Sequence, residues 1–295
     1  MYLILFCIGL AVGSFLNVIS LRYNPGGKLL SLEVIKGRSH CPHCRQKLNW
    51  YELVPIFSFL IQKGRCRHCG SWISWQYPIV EILSGLIFVF IPLVFFSNNF
   101  QSFNLLSLRD ISRSETIFQS AIWILIFLLF LLLSIIDLRH YLVPDQINLS
   151  LAILGVILIL FNSPTLQLTN SFLGHYALLF NPPGNIWLNH LLAAFLSSAF
   201  FAAIILITRG RAMGWGDFKL AGALGLIFGW PDVLMVVALS FVIGSLFVLP
   251  LLIKGVKKMK DVVPFGPFLA ASGALTFFLG FEIINAYFKF FGIIY

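Results

Sequence analysis

The residue types able to do chemistry gather at two acidic stretches and one set of cysteines. Gly214-Trp215-Gly216-Asp217-Phe218-Lys219 places a carboxylate at the start of an apolar run, residues 220–230. Asp137-Leu138-Arg139-His140-Tyr141-Leu142-Val143-Pro144-Asp145 closes another such run with two aspartates around a tight turn. A carboxylate at the mouth of a lipid-embedded segment is costly, because hydrocarbon offers no water to solvate it, so such a residue is a functional candidate. Two carboxylates held close cannot both ionise cheaply. They share a proton, and one takes a proton from water while the other donates to a carbonyl. That titration belongs to the pair, and neither aspartate is assigned as the base. The glycines beside Asp217 would let an extended backbone approach it, having no Cβ in the way. The structural alternative is that Asp217 pairs with Lys219 or caps a helix, and that Arg139 neutralises a carboxylate. Against it, three of the eleven acids in the chain stand at just these two mouths. The sequence offers no convincing serine or cysteine nucleophile with a partnered base, which fits a route that needs no covalent intermediate.

Cys41-Pro42-His43-Cys44 and Cys66-Arg67-His68-Cys69 are two CxxC pairs with twenty-one residues between them. This spacing fits a tetrahedral zinc site of four thiolates. A pair of disulfides is the competing reading, and a reducing compartment argues against it. His43 and His68 lie inside the pairs, but four cysteines already complete the shell. The expected role is structural: a loop this short buries little core, and metal binding supplies its folding free energy. Cys7, alone in an apolar run, reads as a packing residue.

The elements that must position these groups follow from composition. The chain has 295 residues, 59% of them hydrophobic and only 11% charged, with a mean hydropathy of +0.93. Soluble domains carry about 25% charge. The sequence therefore predicts an all-α polytopic membrane protein of about eight transmembrane helices, with a small zinc-ribbon-like cytoplasmic domain between the first and second. The expected spans are residues 1–20, 78–97, 116–136, 147–161, 188–208, 218–229, 233–253 and 265–281. The fourth and sixth are short and must sit inside the bundle. Residues 1–20 have no basic leader region and no small-residue cleavage site, so they read as a retained span. The corresponding division is 1–20 as first helix, 21–77 as zinc-binding domain, and 78–295 as a membrane core of about seven helices. With residue 1 outside, seventeen of the twenty Lys and Arg fall on inner segments and three on outer ones, as the positive-inside rule expects. The net charge of +9 thus reflects topology and an anionic leaflet, not nucleic acid.

Three further stretches carry readings. In Gly13-Ser14-Phe15-Leu16-Asn17 the small residues suit a helix interface, and Asn17 would hydrogen-bond a neighbouring helix. Glu81 reads as an interfacial carboxylate paired with a loop arginine. Pro264-Phe265-Gly266-Pro267-Phe268 should stiffen the start of the last span. His140 reads as structural, and the outer stretches 98–115 and 162–187 are polar without further features.

Asp137 followed by six residues and Pro144-Asp145, with Gly214-x-Gly216-Asp217-x-Lys219, resembles the paired signature of the type IV prepilin peptidases. The cysteine pairs, the Gly13–Asn17 stretch and the Pro264–Phe268 stretch match as well, so the resemblance covers essentially the whole chain. The Gly-x-Gly-Asp element is also similar to that of presenilin-like intramembrane aspartyl proteases. The resemblance implies a multi-pass enzyme of the bacterial inner membrane that removes the basic leader of type IV prepilins and pseudopilins at the cytoplasmic face. It implies Asp137 and Asp217 as the catalytic pair, with Asp145, Gly214, Gly216 and Lys219 in support, and N-methylation of the new terminus with S-adenosylmethionine. No glycine-rich nucleotide loop marks a place for that cofactor. Two other classes stay open at this point. One is a proton- or cation-coupled transporter, although both acids lie at one face instead of the midplane. The other is a zinc-ribbon scaffold that only binds partners.

Overall fold

Hydrocarbon leaves backbone polar groups no partner but each other, so long runs of Leu, Ile, Val and Phe fold as helices. The structure, a computed structural model, describes residues 1–27, 29, 34, 37–96, 113–161, 171–180, 184–211, 213–256, 258 and 261–292. Among them the helices are α1 (Tyr2–Arg22), α2 (Phe57–Ile61), α3 (Gln76–Phe96), α4 (Arg113–His140), α5 (Asp145–Phe161), α6 (Ile186–Thr208), α7 (Trp215–Phe228), α8 (Asp232–Ile253) and α9 (Gly266–Phe290). The chain is all-α, and its extended pairing among the described residues is limited to two isolated bridges. α1, α3, α4, α6, α8 and α9 are long and apolar enough to cross a membrane. The two segments expected to be short are so, α5 with 17 residues and α7 with 14. All eight expected spans are therefore helices. Much of the polar outer stretches, residues 98–112, 162–170 and 181–183, and the basic positions Lys28, Lys36, Lys257 and Lys260 lie outside the described residues.

The chain divides into two compact units, Met1–Leu93 and Val94–Tyr295. In the first, α1 and α3 touch backbone to backbone. A Cβ on Gly9 would stand 2.7 Å from the Gly85 Cα, and one on Gly13 would stand 2.8 Å from the Glu81 Cα. Glycines four apart share one helix face, and small residues let lipid-embedded helices approach this closely. Asn17 donates from Nδ2 to the Tyr77 carbonyl on the neighbouring helix, 3.2 Å away, as expected. Between these helices lie the cysteine turns, a 3-10 turn at Trp50–Glu52, and α2.

In the second unit, short α7 packs chiefly against α5 and α6, while α8 and α9 pair and α9 returns to α4. Eight residues of α7 are buried, from Asp217 to Phe228. That surrounding is why a helix only about 21 Å long is sufficient here. A Cβ on Gly225 would stand 2.4 Å from the Ala194 Cα, and the Ser197 hydroxyl donates to the Ala221 carbonyl across 2.9 Å. α6 thus holds α7 at backbone distance. Rings of Trp123, Phe172, Phe228 and Phe277 fill the far end, with Trp123 and Phe277 centroids 4.5 Å apart.

Candidate active site and candidate metal centre

α4 stops because Tyr141 takes the left-handed conformation at φ 54° and its N–H closes on the Asp137 carbonyl at 2.8 Å. Pro144 then ends any helical continuation, and α5 begins at Asp145, as the proline required. Asp137 is thereby fixed in the last turn of α4, 3% exposed. Asp217 occupies the first turn of α7, 8% exposed.

Three contacts join the two acidic stretches. Lys219 Nζ meets Asp145 Oδ1 at 2.7 Å. Asn148 donates from Nδ2 to the Gly216 carbonyl at 3.4 Å. A Cβ on Gly216 would stand 3.0 Å from the Val143 Cβ. The carboxylates of Asp137 and Asp217 interact electrostatically. Each is also oriented by a glycine amide: Gly266 N–H donates to Asp137 Oδ2 at 2.9 Å, and Gly214 N–H donates to Asp217 Oδ2 at 3.3 Å. A buried acceptor held by a backbone donor is fixed in direction.

Several expectations change here. Lys219 pairs with Asp145, not with Asp217, since two residues apart on a helix they do not face each other. The other structural expectation holds, because the Gly214 N–H that Asp217 accepts caps the start of α7. Among the described residues no ion pair joins Arg139 to Asp137 or Asp217. Gly216 is not open for a substrate backbone, because Val143 fills the space beside it. Gly214 keeps such space, its nearest atoms to an added Cβ being 3.9 Å away. Glu81 is buried and accepts the Ile56 N–H at 2.8 Å, so a backbone amide takes the place of the loop arginine.

Sequence reasoning missed the part played by Gly266. Its stretch reads only as a stiff helix start, and the signal available was a glycine between two prolines. Phe265 beside it packs on Phe201 of α6 and Phe241 of α8, with centroids 5.9 and 5.1 Å away, which steadies the amide. Asp232 was missed as well. It is buried at the start of α8, with its carboxylate bonded to the Ser171 hydroxyl and the Phe172 N–H. α7 separates it from Asp217, so it belongs to the opposite end of this unit.

The cysteines form one turn used twice. Cys41 N–H donates to Gln46 and Arg45 N–H to Cys41; Cys66 N–H donates to Ser71 and Gly70 N–H to Cys66. Arg45 and Gly70 both have positive φ. All five cysteines are free thiols, and the sulfurs of Cys41, Cys44, Cys66 and Cys69 lie within 4.8 Å of one another, a group that can hold a metal ion. The Cys41 and Cys69 sulfurs are 3.9 Å apart, near the roughly 3.8 Å edge that Zn–S bonds of about 2.3 Å give a tetrahedron. The donor set and its size fit zinc. The Ser71 hydroxyl, 3.0 Å from Cys69 Sγ, holds that thiol down to about 6.

Residues 7–95 match the bacterial peptidase A24 N-terminal domain, and residues 123–249 match the type IV leader peptidase family. A prepilin leader peptidase/N-methyltransferase of Legionella pneumophila is 30% identical over 97% of this chain and 94% of its own length. One from Bacillus subtilis (strain 168) is 30% identical over 97% of each. A third, from Aeromonas salmonicida, is 32% identical over 85% of this chain and 74% of its own. No solved structure matches the chain.

Proposed function

The chain belongs to the type IV leader peptidase family, and we propose that Asp137 and Asp217 are the pair with which it cuts the leader from prepilins. It is a multi-pass membrane protein and an aspartic endopeptidase, a prepilin leader peptidase. The observation that supports the residue assignment is that two buried aspartates, each oriented by a glycine amide, stand on stretches far apart in the chain that the Lys219–Asp145, Asn148–Gly216 and Val143–Gly216 contacts join. Nothing in the fold or the comparisons favours a transporter.

In this reading each aspartate commits Oδ2 to a glycine amide and keeps Oδ1 for the reaction. One carboxylate takes a proton from a water as it attacks the scissile carbonyl. The other, protonated, donates to the carbonyl oxygen. As the C–N bond breaks, the first passes its proton to the leaving amine and the second takes one back from a hydroxyl of the tetrahedral intermediate, which restores the shared proton. No covalent intermediate forms. Burial supplies the water-poor surroundings in which fixed charge acts most strongly. The Lys219–Asp145 pair, which is solvent-exposed, straps α7 to α5 and keeps the two stretches in register. Gly214 leaves room for the extended substrate backbone.

The site faces the cytoplasm in this proposal, by the charge bias of the loops. Substrates are type IV prepilins and pseudopilins. A basic leader is repelled by the basic inner loops, so recognition falls to the substrate's apolar helix in the bilayer. Residues 21–77 act as the cytoplasmic zinc-binding domain and residues 78–295 as the peptidase core. Cys41, Cys44, Cys66 and Cys69 would hold the zinc; four thiolates close its shell, so its part is structural. Methylation of the new N-terminus with S-adenosylmethionine belongs to the same proposal and rests on the relatives' names. No residue of this chain is assigned to that cofactor.

The test is co-expression with a candidate prepilin and mass measurement of the pilin's N-terminus. Loss of the leader mass supports the peptidase, and a further methyl increment supports the second activity. An uncut N-terminus with every prepilin of the same cell contradicts the proposal.

A further inference from the structure

The cysteine-bearing segment carries more exposed apolar surface than a water-facing loop tolerates. Trp50, Phe57, Leu60, Ile61, Trp72 and Trp75 are each between 62% and 79% exposed. An apolar patch of this kind on a folded surface marks a binding face. Phe57, Leu60 and Ile61 follow the i, i+3, i+4 spacing and so share one side of α2, while Phe59 turns inward and is buried.

The connections of α2 say what covers that side. The Phe59 ring packs on Trp75, centroids 5.1 Å apart, one residue before the spanning helix α3. The Ile56 N–H, at the start of α2, is bonded to Glu81 in the second turn of α3. α2 is therefore tied to the start of a membrane-spanning helix, with Phe57, Leu60 and Ile61 left exposed beside it. Tryptophan is enriched at this depth of a bilayer.

Charge specifies the lipid. Between Arg38 and Trp75 the chain has six Lys and Arg against one acid, Glu52, which is buried and bonded to the Asn49 N–H, and a zinc held by four thiolates subtracts two more charges, so the segment stays net positive. Arg65 lies over the Trp72 ring at 4.4 Å and Arg67 over the Tyr51 ring at 5.3 Å. Cations stacked on interfacial aromatics present positive charge at headgroup level, where anionic lipid attracts it.

We infer that α2 and the flanking aromatics lie in the headgroup layer of the protein's own bilayer, seated on anionic phospholipid. The segment is then a membrane-bound platform tied to the start of α3, not a free cytoplasmic module.

Photo-cross-linking of the full-length protein tests this. Phe57→p-benzoylphenylalanine and Leu60→p-benzoylphenylalanine are placed in nanodiscs of phosphatidylcholine alone, or of equal parts phosphatidylcholine and phosphatidylglycerol. After irradiation, intact mass reports the adduct. Lipid adducts at both positions, several-fold more abundant with phosphatidylglycerol, are expected; the same probe at buried Phe59 should give none. The combined Lys63→Gln, Arg65→Gln, Arg67→Gln variant should lose the phosphatidylglycerol preference. No lipid adduct at either position overturns the inference, as does an adduct joining two copies of the chain. Equal yields in the two discs overturn its anionic-lipid part.

Discussion

Gly266 donates its backbone N–H to Oδ2 of Asp137 across 2.9 Å, joining the first turn of α9 to the last turn of α4. The contact exists because residue 266 has no side chain. A Cβ there would stand 2.7 Å from Oδ2 and 2.9 Å from a Leu133 methyl. Gly266→Ala should therefore push the Asp137 carboxylate aside while leaving the protein inserted. A displacement of about 1 Å at a catalytic group costs on the order of 100-fold in rate. Steady-state cleavage of a purified prepilin in detergent should fall by that order, mainly in kcat. An unchanged kcat would remove Gly266 from the site.

Lys219 and Asp145 bridge the two acidic stretches, with side chains 48% and 71% exposed. An exposed pair contributes under about 1 kcal/mol to stability, so Lys219→Met and Asp145→Asn should leave the melting temperature nearly unchanged. Each should lower cleavage by roughly tenfold or less through loss of register. In a double-mutant cycle the second change should add little to the first, because the pair acts as one strap. Raising the salt concentration should reproduce part of the loss in the wild type. Full additivity would show that the two residues act separately.

Asp232 supplies the contrast. Its carboxylate is buried and accepts from Ser171 and Phe172 at the other end of the second unit. Asp232→Ala leaves those donors unmatched, at about 1–3 kcal/mol each. Denaturation in detergent should show the loss, while kcat measured on the remaining folded protein stays within about threefold of wild type. A large drop in kcat with unchanged stability would place Asp232 in the chemistry.

The positions of the spans were legible because apolar runs of membrane length have one outcome. The glycines, aspartates and cysteines were legible because their local spacing carries chemistry. The pairings were not, for a physical reason. Asp137 and Gly266 are 129 residues apart, and Ser171 and Asp232 are 61 apart, and no periodicity reports contacts at such separations. Lys219 invited a local pairing with Asp217, while the helix turned it toward Asp145 instead. Gly216 looked like room for a substrate until Val143 proved to occupy it.

The metal centre gives a pH prediction. Thiolates are the ligands, so protons compete with the metal and it is lost as pH falls. The Ser71 hydroxyl, 3.0 Å from Cys69 Sγ, is placed to donate to the thiolate and so favours the ionised, ligating form over the thiol. Ser71→Ala removes the hydroxyl donor and raises the proton affinity of Cys69. Metal release from the full-length protein, followed with a chromophoric chelator, should move to higher pH in the variant. A shift in the opposite direction would contradict the role given to Ser71.

The most direct measurement is single-turnover cleavage of one purified prepilin by Asp137→Asn and by Asp217→Asn, with insertion and melting checked against wild type. Each variant should be folded and without detectable cleavage, and the double variant should be no worse than either, as follows if the two carboxylates work as a unit. Substantial cleavage by either folded single variant would mean that the aspartate pair does not do the cutting.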